Sequence, residues 1–157
     1  MDARVAALEA LFRAIAATRM QGIALLNPRL AVQAVGFERA EDGSLQGILV
    51  TPWFMNLVRL PGDGESAAVA GAGRVVAIGA ERFEFIGAHE PGFGAYEVCS
   101  LFSPMAEFED QEAALATASQ VLAILRQPPP RPPLAAAPAA PMPSRRALLF
   151  GRAGGAR

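Results

Sequence analysis

The chain has no lysine, and it has one cysteine (Cys99), one histidine (His89), one tryptophan (Trp53) and one tyrosine (Tyr96) among 157 residues. Each scarcity removes a class of function. One cysteine and one histidine cannot build a zinc cage, an intramolecular disulfide or a histidine-pair metal site, so neither a metal nor another cofactor is expected. His89 stands beside Glu90, but no second histidine, serine or glycine-rich nucleophile turn frames the pair, and no enzymatic activity is expected. A phosphate-binding loop is missing, as is any interleaving of basic and aromatic residues, which excludes nucleic acid as an expected partner. The uncharged stretch from Ser44 to Val58 contains Pro52 and Asn56 and is shorter than the roughly 20 residues of a membrane span. Near the start of the chain, Glu9 and Arg13 interrupt the apolar run that a secretory signal needs. These features predict a soluble, cytoplasmic protein without stable membrane insertion.

Charge is present but unevenly placed. Residues 1–127 hold all fifteen carboxylates and nine arginines, a sum of -6, whereas residues 128–157 hold five arginines and no acid, a sum of +5. The formal net charge of -1 therefore hides an acidic body and a basic tail. Eight of the thirteen prolines lie between Pro128 and Pro143, mixed with alanine, which predicts an extended, disordered linker after a globular domain ending near Gln127. Residues 144–157 follow as a basic tail. Alanine supplies 33 residues, so the 52% apolar content overstates the core, and one compact core is expected.

Within residues 1–127, the spacing of Val5, Leu8, Phe12 and Ile15 predicts an amphipathic helix from Asp2 to Thr18, with Asp2 as N-cap and Glu9 to Arg13 as an i,i+4 pair. Gly22 and Asn27-Pro28 break that pattern, and Leu30 to Phe37 alternates as a half-buried strand would. Asp42-Gly43 is a hairpin turn signal before strands at Leu45 to Thr51 and Asn56 to Leu60. Further strands are expected over Arg74 to Ile78, around Phe83 and Phe85, and around Tyr96 to Leu101. Asp110 to Arg126 reads as a second helix, with Leu115, Ala118, Leu122 and Leu125 on one face. This order predicts an α+β fold, an antiparallel sheet of about five or six strands covered by the N-terminal and C-terminal helices.

Three groups of residues are candidates for recognition. Trp53, Phe54, Met55 and Asn56 follow Pro52, and Phe102, Pro104 and Met105 repeat the same apolar, proline-containing chemistry some fifty residues later. Aromatic rings and a flexible thioether suit a peptide-binding surface, and they suit a core equally well. Glu107, Glu109, Asp110 and Glu112 stabilise a helix N-terminus, or receive paired arginines whose guanidinium forks match carboxylates. Cys99 lies in a strand pattern and reads as a buried structural thiol, or as a thiol that handles metal or oxidative damage.

Leu26-Asn27-Pro28, Ala34-Val35-Gly36-Phe37, the run Gly47 to Leu57 (GILVTPWFMNL), Phe83-Glu84-Phe85 and the run Cys99 to Met105 (CSLFSPM) together resemble the [NiFe]-hydrogenase assembly chaperones of the HybE/HupJ type. The resemblance runs from about Arg19 to Arg126. It implies a non-enzymatic cytoplasmic role in maturing hydrogenases before twin-arginine export, with a small or large subunit precursor, and other maturation factors, as partners. A chaperone acting before export is expected to engage the small subunit, which carries the export signal. Some relatives carry a fused rubredoxin domain with paired cysteines, which a chain with one cysteine lacks. In the tail, Ser144-Arg145-Arg146-Ala147-Leu148-Leu149 is similar to a twin-arginine signal core at the wrong end of the chain. Two readings of it stand, a pseudo-signal that competes for the acidic body and a chance Arg-Arg pair in a basic tail.

Overall fold

The computed structural model describes residues 2–127; the linker 128–143 and the tail with Ser144, Arg145, Arg146, Leu148 and Leu149 lie outside the described residues. Helix α1 spans Ala3–Ala17. Asp2 caps it by accepting the Arg4 N–H at 2.7 Å, and Val5, Leu8, Phe12 and Ile15 are its buried stripe. Glu9 lies on the same stripe because it is used. Its Oε1 accepts from Arg13 at 3.3 Å, while Oε2 accepts the Ala34 N–H at 2.7 Å and ties the helix to the sheet edge.

Six strands follow: β1 (Gln33–Arg39), β2 (Leu45–Val50), β3 (Met55–Leu60), β4 (Gly73–Ile78), β5 (Glu81–Glu90) and β6 (Gly94–Phe102). Helix α2 (Gln111–Leu125) closes the described fold. The sheet order is β1-β2-β3-β6-β5-β4, antiparallel throughout, so two three-stranded meanders join at a β3–β6 seam. Successive strand residues face opposite sides, and two cores result. Leu45, Leu49, Val58, Leu60 and Tyr96 pack under α1, while Ile48, Val50, Met55, Leu57, Cys99 and Leu101 pack under α2.

The α+β expectation matches this architecture, with local differences. β1 begins at Gln33 rather than Leu30, because Leu30 and Val32 enter opposite cores and the Ala31 N–H and carbonyl are bonded by the Gln111 side chain at 2.8 and 3.2 Å. Within β1 the register shifts between Val35 and Glu38, where Gly36 has φ +64° and a side chain would strike Leu122 of α2. The face of α2 is set by Ala114, Ala118, Val121, Leu122 and Leu125, with Leu115 only half-buried at its margin. No helix among the described residues is long and apolar enough to cross a membrane.

At the far end of the seam from the motif residues lies a buried charge network. Arg59 on β3 donates Nη1 to Glu97 of β6 at 2.9 Å, and its Nη2 reaches Asp42 at 2.8 Å and Glu65 at 2.6 Å. Arg74 adds contacts to Glu65 at 3.1 Å and to Glu97 at 3.2 Å, and the Ala68 N–H donates to Glu97 at 2.7 Å. Burial works against the Arg59 charge, but hydrogen bonds to its three carboxylates outweigh it and hold the pKa above its ordinary value. Burial likewise raises Asp42, yet bonds from Ser44 and Arg59 bring its carboxyl down to about 2. The network pins the loop between β3 and β4 over the sheet.

Candidate functional site

The motif residues singled out by sequence gather at one end of the sheet for a local reason. Thr51 turns the chain from β2 into β3 within four residues: its Oγ1 accepts the N–H groups of Trp53 (3.2 Å) and Phe54 (3.0 Å), and its own N–H donates to the Phe54 carbonyl at 2.8 Å. Pro52 fits the second position of such a turn, where no N–H is required. Met55 at the start of β3 then pairs with Phe102 at the end of β6, so Thr51–Met55 and Phe102–Met105 emerge side by side.

Asn27 joins them to the loop after α1. Its N–H donates to the Pro52 carbonyl at 2.8 Å, and its Nδ2 donates to the carbonyls of Met105 at 3.0 Å and Phe108 at 2.9 Å. Its Oδ1 accepts the Arg29 N–H at 3.0 Å. Through its backbone N–H and its carboxamide, this one buried residue thus holds three separate segments together. Sequence reading treated Asn27 as a helix breaker and a motif residue, and its role as a clamp was missed; the signal available was a polar residue between Leu26 and Pro28 in an otherwise apolar stretch.

The two motifs are neighbours, but their side chains do not form one patch. Trp53 and Phe54 turn toward α1, where Phe12 meets Phe54 edge-on at 5.6 Å and Trp53 at 6.3 Å between ring centroids. Phe102 turns to the α2 side and packs edge-on against Phe108 at 5.3 Å. Met55 and Met105 have 0% exposure and belong to the α2 core, which is the core alternative for these two residues, and the half-buried Trp53 and Phe54 flank them on one side and Phe102 on the other. Pro104 is exposed, and with Leu25 and Pro28 it borders a hollow of about 340 Å³. Asp110 is the N-cap of α2, accepting the Ala113 N–H at 2.8 Å, and Glu112 lies in the first turn. Glu107, Glu109, Asp110 and Glu112 are exposed and form no ion pair among the described residues. Cys99 is 3% exposed in the core under α2. Among the described residues no group of three His, Cys, Asp or Glu side chains is placed to hold a metal ion.

A cavity of about 270 Å³ opens between α1 and the sheet. Phe12, Met20, Trp53, Phe54 and Tyr96 make its apolar walls, Asn56 is in its lining, and Arg19 bonds Glu90 across it at 2.8 Å. Burial, and secondarily the Glu90 charge, pushes the Tyr96 hydroxyl up to about 12, so it stays protonated at neutral pH. Of these residues, sequence reading named Trp53, Phe54 and Asn56 as partner-binding; Phe12, Arg19, Met20, Glu90 and Tyr96 come from elements distant along the chain.

Residues 3–151 match the family model described as [NiFe]-hydrogenase assembly, chaperone, HybE. The chain belongs to that family. The HybE-family match spans every described element and continues beyond them. Protein HoxT of Cupriavidus necator is 48% identical, over 95% of this chain and 89% of its own length. The hydrogenase expression/formation protein HupJ of Bradyrhizobium diazoefficiens is 43% identical, over 74% of this chain and 68% of its own. The solution structure of HybE from Escherichia coli shares the fold, with a TM-score of 0.64, 23% identity and 87% coverage of both chains. These likenesses support a role for the chain as a hydrogenase maturation chaperone.

Proposed function

We propose that this HybE-family chain binds a [NiFe]-hydrogenase subunit precursor in the cytoplasm, the signal-bearing small subunit, and shields it before twin-arginine export. Binding is reversible and non-covalent, with no chemical step. The observation that carries the reading is the assembly of the family's motif segments around Asn27, which presents Trp53 and Phe54 on one flank and Phe102 and Pro104 on the other. Half-buried aromatics held by a rigid frame give contact area at small entropic cost on binding. The acidic body adds long-range attraction for an arginine-bearing segment, because residues 1–127 sum to -6.

The test uses the full chain immobilised against purified small-subunit precursor, the same subunit without its signal, and the large-subunit precursor. Retention of the signal-bearing small subunit, weakened by Trp53→Ala and Phe54→Ala, is the expected result. Retention of the large subunit alone, or of neither, overturns the assignment of the client.

A further inference from the structure

The cavity under α1 contains one polar atom that the fold leaves unanswered. Asn56 sits on β3 opposite Leu49 of β2, on the same face as Val58 and Leu60. The residue is 9% exposed, and its Oδ1 is buried without a hydrogen-bond partner. An unpaired carboxamide oxygen in an apolar interior costs free energy that a leucine or valine at the same strand position would avoid. The donors in the walls, the Tyr96 hydroxyl, the Trp53 indole N–H and the Arg19 guanidinium, make no hydrogen bond to it, and Arg19 is paired with Glu90.

We propose that this cavity anchors one apolar side chain of the client polypeptide, and that the Asn56 carboxamide receives a backbone N–H from the same client segment. The inference rests on the client-binding reading above and adds where the client enters and which residue reads it. A volume of about 270 Å³ suits a side chain better than a free small molecule, whose sites run to roughly 300–1,000 Å³. Every non-proline residue of a peptide brings an N–H donor next to its side chain, which is the partner that the Asn56 Oδ1 lacks. The terminal torsion of asparagine is soft, so rotation can turn either end of the carboxamide toward the cavity. The net negative body favours a client segment that also carries arginine.

The test is a calorimetric titration of small-subunit precursor into the full wild-type chain and into Asn56→Leu, with thermal melts of both and NMR of the Asn56 side-chain amide. The expected result is a variant as stable as wild type or more stable, with affinity reduced about tenfold by loss of one hydrogen bond to a buried group, and wild-type Asn56 amide signals that shift on saturation. A lower melting temperature for Asn56→Leu would show that the carboxamide is answered in the free protein, by an ordered water for example, and would overturn the inference. Unchanged affinity, or unmoved Asn56 signals, would overturn it while leaving the client-binding reading intact; no wild-type binding at all would remove both. One further arm concerns the occupant. If Leu148→Asp with Leu149→Asp in the full chain moves the Asn56 signals without any client present, the chain's own tail fills the cavity and the client assignment falls.

Discussion

Replacing Arg59 with methionine tests the buried network at the far end of the seam. The guanidinium is 2% exposed and holds Glu97, whose side chain is 0% exposed, together with Asp42 and Glu65. Methionine fills much of the same volume, so packing changes little and the effect reports charge. Glu97 would keep the Ala68 N–H and the Arg74 Nε on its second oxygen, and it would lose the Arg59 donor to its first. Breaking a buried pair from one side costs about 3–5 kcal/mol. The retained Arg74 contact and the 47% exposure of Asp42 argue for the lower end, about 3 kcal/mol, or a drop of about 10 °C in melting temperature for a domain of this size. Arg59→Met with Glu97→Leu removes the stranded carboxylate and should regain most of that loss. An acid titration gives a second reading. The Asp42 carboxyl is held at about 2 against an ordinary 3.8, and Glu65 is lowered too by its bond from Arg59. The stability they contribute is therefore complete above about pH 5, beyond both ordinary carboxyl values, and is lost as pH falls toward 2. In Arg59→Met that acid slope should flatten without vanishing, since Ser44 still bonds Asp42. A single variant that melts like wild type, or a double variant no better than the single, would refute the reasoning.

Asn27→Ala should cost about 1–3 kcal/mol, because it takes the Asn27 donor from the Phe108 carbonyl and leaves the Met105 carbonyl with the Phe108 N–H at 3.3 Å; a urea midpoint lowered at unchanged slope is the check. Gly79→Ala should destabilise by more than Gly22→Ala in thermal melts. Both have positive φ, but a methyl at 79 runs into the Leu125 and Gln127 carbonyls while one at 22 meets open space. Cys99→Ser should cost about 1–3 kcal/mol for burying a hydroxyl and leave hydrogenase maturation intact in cells. Loss of maturation by a normally folded variant would instead favour a thiol-handling role.

Both helices were legible in the sequence because their buried stripes are local: Val5, Leu8, Phe12 and Ile15 need only a three-to-four spacing to be seen. The start of β1 was not, since alternation at Leu30 and Val32 says nothing about a Gln111 side chain from 80 residues away claiming the intervening backbone. Thr51-Pro52 was legible as an interruption, whereas the hydroxyl that makes it a four-residue turn acts through geometry. Arg59 and Glu97 stand out as charges in otherwise apolar strands, yet their pairing depends on the β3–β6 register. That register also explains the partial reading of the site. Adjacency of the two proline-containing motifs follows from Met55 facing Phe102, but the turn sends Trp53 and Phe54 to one side of the sheet and Phe102 to the other.

The seam between the meanders has a consequence for how the protein comes into being. β1-β2-β3 and β4-β5-β6 each pair strands that are close along the chain, whereas Met55 and Phe102 meet across a long intervening loop of sequence. Local pairings carry less loop-closure entropy and form sooner than distant ones. The two meanders therefore have reason to assemble first and zip together afterwards. Until they do, Tyr96 has not joined Trp53 and Phe54, and Asn27 has no Met105 carbonyl to hold. A nascent copy of this chain would be structured in both halves first, acquiring the end proposed above to engage a client in the closing step of its own folding.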